Sequence, residues 1–125
     1  MPADGPVSWT TREDAAEAAA LILTSKGGYD GPVTLTAKAA PTFTEIAETA
    51  SELTGHTIKT EVVPADAWVA ARVATGQPEF VARFTLGMYQ AAAKGFFAGV
   101  DPLLTTLLGR EPRTVRDVLS ELPTH

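Results

Sequence analysis

Six side chains in this sequence carry the chemistry to hold a flat apolar molecule: Trp9, Trp68, Phe80, Phe84, Met88 and Tyr89. Indole, phenyl and thioether groups present large polarisable faces, the usual lining of a pocket for an aromatic ligand. Five of the six fall in the second half of the chain, beside Phe96 and Phe97. The same residue types also build ordinary cores, and the sequence leaves both readings open.

Other chemistry is thinner. A tyrosine proton donor needs a lysine four residues on along a helix, where the ammonium lowers the phenol's pKa. Tyr89 and Lys94 are five apart and diverge, and Tyr29 has no lysine at that distance. Of the two histidines, His56 follows a glycine and His125 is the last residue, so solvated roles are expected of both. No His pair or His–carboxylate cluster has the spacing of a zinc site. Ser8, Ser25, Ser51 and Ser120 lack a nucleophile elbow, and no cysteine is present to act as nucleophile, thiolate ligand or disulfide partner. A dinucleotide fingerprint would place a glycine-rich turn between a strand and a helix. The only glycine cluster, Gly27-Gly28-Tyr29-Asp30-Gly31, lacks that spacing and precedes a strand-like run, so it reads as a turn. No Gly-Lys-Ser or Gly-Lys-Thr loop occurs. No catalytic, cofactor-binding or metal-ligating residue is therefore assigned.

Composition narrows the partners. The 125 residues fit a single domain over 1–125, with 45% apolar and 20% charged residues, ordinary for a globular chain. A net charge of −5 repels a phosphate backbone, and the nearest basic group, Arg110, Arg113 and Arg116, is small. Nucleic acid is excluded on that ground. No apolar run approaches the ~20 residues of a membrane span, and the first residues carry no basic-then-apolar signal. A cytoplasmic protein without a membrane role is the expectation.

The positioning elements follow from spacing. Val7-Ser8-Trp9-Thr10 is expected as a short strand. Thr11 then caps a helix to about Thr24, with Glu13 and Asp14 favoring the dipole and Ala15, Ala18, Ala19, Ile22 and Leu23 forming its apolar stripe. Val33–Thr36 alternates as a strand. Thr42-Phe43-Thr44-Glu45 is a capping box, and Phe43, Ile46, Ala47, Ala50 and Leu53 keep helical spacing up to a glycine cap at Gly55. Thr57–Val63 alternates as a strand that Pro64 stops. Ala65 to about Thr75 and Pro78 to about Phe97 read as helices, with Gly87 expected at a close contact or a bend. A short helix to Leu108 and a last one over 114–122 finish the chain. The expected fold class is α/β, predominantly helical with two or three short strands.

In this order the motifs resemble a known family. Val7 to Ala20 is similar to the segment of NmrA-like atypical short-chain dehydrogenase/reductases where a strand meets an aspartate and an alanine-rich helix. Gly31–Thr36 resembles the family's next strand, and Thr42–Ala47 its Glu-Ile-Ala helix. Gly55–Ile58, Val63-Pro64 before a Trp-bearing helix, and Leu107–Thr114 (Leu-Leu-Gly-Arg-Glu-Pro-Arg-Thr) continue the match. The resemblance covers nearly the whole chain and is nearest to the NADPH-dependent quinone reductases. It implies the carboxy-terminal, substrate-side part of an NmrA-like Rossmann protein, without the Rossmann nucleotide-binding part. NADPH is then implied only if a Rossmann part is present, and none is bound by this chain alone. The family implies an NAD(P)H-dependent oxidoreductase, yet no complete active site lies in this chain. Three readings stand: the substrate-binding portion of such an enzyme, a non-enzymatic small-ligand module, and a homodimerising module. The corresponding partners are a small aromatic or quinone-like ligand, a missing Rossmann segment, or a second copy.

Overall fold

The computed structural model describes residues 1–122 and contains six helices: α1 Arg12–Leu23, α2 Phe43–Thr54, α3 Ala65–Ala74, α4 Glu79–Ala93, α5 Leu103–Leu108 and α6 Val115–Ser120. The chain divides into two compact units, each discontinuous in sequence. Unit 1 comprises Met1–Val7 and Pro41–Ala98, and unit 2 comprises Ser8–Ala40 and Gly99 onward.

The expectation of two or three strands is wrong: no strand occurs among the described residues, and the chain is helices joined by extended or turning segments. Alternating β-branched residues make a segment willing to extend, but a strand also needs a neighbouring backbone to form a ladder. None of the three segments finds a full one. Val7 N–H donates a single bond to the Pro41 carbonyl at 3.0 Å. Next to Ser8, the Ala37 N–H goes to a side chain, Ser8 Oγ at 3.0 Å, rather than to backbone. Val33 and Thr34 lie exposed. Among the described residues, 57–63 exchange backbone bonds with Met1 alone, through the Glu61 carbonyl and the Val63 N–H.

In unit 1, α3 and α4 form a helical hairpin around Trp68, Val69, Ala82 and Leu86, with Val63, Ala65 and Tyr89 packed against this cluster. Both helices stop in the same way. Gly76 and Gly95 have positive φ, and the following residues return bonds from Gln77 N–H to Arg72 O and from Phe96 N–H to Ala91 O. That is the Schellman arrangement, which only a residue tolerant of left-handed φ closes cheaply. The glycine at 95 ends α4 four residues before the expected Phe97, and α4 begins at Glu79 with Pro78 as its cap. Gly87 is exposed within α4, where a Cβ would meet nothing within 4 Å, so the expected close contact is absent.

Helix α2 forms as its sequence predicts. Thr42 N–H donates to Glu45 Oε2 at 2.9 Å and Glu45 N–H to Thr42 Oγ1 at 3.1 Å, while Gly55 closes the other end with φ 73°. A second carboxylate reinforces this end. Asp4 accepts from Phe43 N–H at 2.9 Å and from Thr44 Oγ1 at 2.6 Å. Gly5 beside it is buried, and a Cβ there would collide with the Ala92 carbonyl of α4.

In unit 2, α1 packs on α5 through Ala18 and Leu104, both without exposed surface. Thr11 caps α1, accepting from Asp14 N–H at 3.1 Å. Helix α6 starts with a second capping box, Thr114 with Asp117.

Candidate functional site

The two faces of α4 differ. Ala82 and Leu86 enter the core of unit 1, whereas Phe80, Phe84 and Met88 recur every four residues on one exposed stripe. Their side chains are 77%, 72% and 49% exposed. Beyond the Schellman turn Phe96 and Phe97 are exposed as well. Isolated exposed apolar residues are commonplace, but a continuous stripe of two phenyl rings and a thioether marks a contact surface.

Tyr89 follows Met88 and turns to the other side of this stripe. Its ring lies 5.1 Å from that of Phe43 and 5.8 Å from that of Trp68, the latter edge-on. The Arg72 guanidinium lies 5.0 Å over the Trp68 ring, a cation–π contact at the end of α3. The structure thus brings Trp68 and Tyr89 into one packed cluster and sets Phe80, Phe84 and Met88 on the neighbouring exposed stripe. Trp9 belongs to unit 2, where it is half-exposed. Two open grooves of about 390 and 520 Å³ in unit 2, one beside Thr105 and Glu111 and the other beside Arg12 and Val118, contain none of the six residues. Lys94 serves α4 as its C-cap. His56 is exposed, and His125 lies outside the described residues.

Sequence reasoning missed the strongest polar cluster. Asp14, with no exposed surface, accepts hydrogen bonds from Arg110 Nη2 at 2.7 Å, from Arg113 N–H at 2.7 Å and from the Arg113 guanidinium. Arg110 also reaches Glu17 at 2.7 Å. Burial pushes the Asp14 carboxyl up, but the Arg110 hydrogen bond, the Arg113 amide and the two guanidinium charges outweigh it and hold the pKa below its ordinary value. Arg110 is raised by its bonds to Asp14 and Glu17. The available signal was positional: Asp14 is in line with Ala18 and Ile22, so a charge stands on the apolar stripe of α1 and must be paired. Its partners lie 96 and 99 residues away, beyond any local pattern. This cluster joins α1 to the 110–114 loop.

The residues present do not fit a dinucleotide. The Gly27–Gly31 turn runs into an extended segment and has no helix behind it to receive a pyrophosphate. The α2 N-terminus already holds the Asp4 carboxylate. Burial raises that group, while the Thr44 hydroxyl and the amides of Phe43, Thr44 and Gly5 lower it by more, so it stays ionised and would repel a phosphate. Among the described residues no group of three or more His, Asp or Glu is placed to hold a metal ion. No described helix is long and apolar enough to cross a membrane.

No protein-family model matches the chain. It is similar, at 27% identity over 98% of its length, to an NmrA-like family domain-containing oxidoreductase, flvB, of Aspergillus flavus. Among solved structures it superposes on the triphenylmethane reductase of Citrobacter sp. complexed with NADP(H), with 28% identity, a TM-score of 0.85 and 96% of this chain covered. The NADPH-dependent quinone oxidoreductase QOR2 of Escherichia coli matches at 26% identity and a TM-score of 0.84 over 94% of the chain. The chain spans 41% of the flvB length and 42% of each of these structures, and the match falls on the carboxy-terminal part of the solved chains. The resemblance drawn from the motifs therefore holds: the chain is related to NAD(P)H-dependent NmrA-like oxidoreductases and quinone reductases.

Proposed function

We propose that this chain is the substrate-binding portion of an NAD(P)H-dependent NmrA-like oxidoreductase of quinone-reductase type, with a Rossmann part outside these residues bringing the nucleotide. The exposed Phe80–Phe84–Met88 stripe carries this reading, because it offers stacking faces to a flat aromatic or quinone-like molecule and the relatives reduce such compounds by name. NADPH, when held by the Rossmann part, supplies the hydride. The residues of this chain bind the acceptor, orient its ring plane and keep water from one face.

Each aromatic pair adds about 0.5–1.5 kcal/mol beyond area burial, so two phenyl rings are worth roughly tenfold in affinity. Titration of a naphthoquinone against intrinsic tryptophan fluorescence tests this. The expected result is saturable quenching, weakened about tenfold by Phe80→Ala together with Phe84→Ala. Identical binding by this double variant would overturn the assignment of the stripe.

A homodimer on the same face is the second reading, favored by the exposed apolar surface. Three side chains at these exposures present on the order of 400 Å², about half of what a stable dimer buries per partner. A sedimentation mass near twice 13.1 kDa would nevertheless establish it.

A further inference from the structure

Residues 57–62 are exposed and extended, and their backbone groups alternate in direction. Ile58 faces α2: its N–H donates to Ser51 Oγ at 2.8 Å, and its carbonyl accepts from the same hydroxyl at 3.3 Å. The odd-numbered residues face the opposite edge. There the Glu61 carbonyl accepts from the Met1 amino group at 3.0 Å, and Val63 N–H donates to the Met1 carbonyl at 2.9 Å. One residue bonded to the carbonyl before and the amide after its opposite number is a rung of a parallel ladder, with Met1 opposite Val62. Along the same edge, the N–H and C=O of Thr57 and Lys59 and the N–H of Glu61 have no hydrogen bond among the described residues.

We infer that the 57–61 edge is a docking site for one extended segment of the nucleotide-binding partner, added as a strand parallel to 57–61 and continuing the Met1 rung. This rests on the proposal that such a partner exists. The rung sets the register. The partner residue opposite Thr60 donates to the Lys59 carbonyl and accepts from Glu61 N–H. The one opposite Ile58 donates to the Thr57 carbonyl and accepts from Lys59 N–H. Side chains set the chemistry of the occupant. Ile58 and Val62, both exposed, share one face of the extended segment with Thr60, while Lys59 and Glu61 share the other. A fitting segment is apolar opposite Ile58 and Thr60, acidic opposite Lys59 and basic opposite Glu61. A second copy pairing in parallel and in register would set Lys59 against Lys59 and Glu61 against Glu61, which disfavours it.

The test fuses five residues ahead of Met1 as a strand probe, reading threonine, valine, glutamate, valine, lysine, so that the lysine lies opposite Glu61. Amide hydrogen exchange is followed by NMR at neutral pH, with neither nucleotide nor quinone present, so its outcome is independent of the ligand titration. The Lys59 and Glu61 amides are expected to slow about tenfold or more on fusion, while Thr60, pointing the other way, does not change. Glu61→Pro removes the unused donor together with the carboxylate that faces the probe's lysine, keeps the carbonyl that accepts from Met1, and is expected to cancel most of the Lys59 protection. Unchanged exchange at Lys59 and Glu61 in the fused chain would overturn the inference. So would protection in the unfused chain that rises with concentration, since that assigns the edge to a second copy.

Discussion

Unit 1 buries Trp68, Val69, Ala82 and Leu86 between two helices, whereas unit 2 buries the carboxylate of Asp14 between a helix and a loop. Both must hold a segment distant in sequence, but they do so with opposite chemistry. Apolar burial is graded and insensitive to pH, since each methylene removed from water adds its own increment. A buried carboxylate is all or nothing. Its desolvation is offset only while every donor is in place, and removing one side leaves charges without partners. Unit 2 has little apolar surface to fall back on, for Leu104 is its only large aliphatic side chain with no exposure among the described residues. Its integrity is therefore expected to hang on one residue, and that of unit 1 on several.

The two tryptophans make this difference measurable, because Trp9 reports on unit 2 and Trp68 on unit 1. The largest expected effect is that of Asp14→Ala, which leaves Arg110 and Arg113 facing each other without the anion and costs unit 2 about 4 kcal/mol. Denaturant unfolding of single-tryptophan variants should show the Trp9 transition collapse to low denaturant. An equal shift of both transitions would show that the contrast between the units is false. Leu86→Ala is expected to cost unit 1 about 3 kcal/mol by the lost transfer and residual cavity, moving the Trp68 transition. The smallest effect is that of acid. Against the upward push of burial, the hydrogen bonds and charges of Arg110 and Arg113 hold the Asp14 carboxyl below the ordinary aspartate value, so its contribution is complete above that ordinary value and is lost as pH falls toward the folded one. Asp4 in unit 1 is lowered too, by neutral donors alone, so both units weaken in acid and unit 2 should weaken more. Unfolding at pH 3 and pH 6, monitored at each tryptophan, checks the ranking.

Sequence pattern exposed the helices because their determinants are local. Thr42 and Glu45 are three residues apart, Gly55 follows its helix directly, and the Phe43–Leu53 stripe has the helical period. The strands at 7–10, 33–36 and 57–63 were misread because alternation reports a willingness to extend and carries nothing about a neighbour. The aromatic side chains were legible as candidates but not their division. Helical spacing groups Phe80, Phe84 and Met88 on one stripe, yet only packing against α3 shows that this stripe is the uncovered one. That Trp9 lies in the other unit depends on where the chain crosses between units, which no local pattern records. The Asp14 cluster was illegible for the same reason, joining residues nearly a chain length apart.

The discontinuity of the units carries a consequence for the order of events on the ribosome. Unit 1 can close only after residue 98 has emerged, and by then α1 has long been free with Asp14 hydrated and unpaired. Synthesis at about 5–20 residues per second leaves that carboxylate waiting several seconds for Arg110 and Arg113. During this interval water, rather than protein, satisfies it. The 110–114 segment thus acts as a latch: it expels the hydration shell of Asp14 and completes unit 2 only after unit 1 has already emerged.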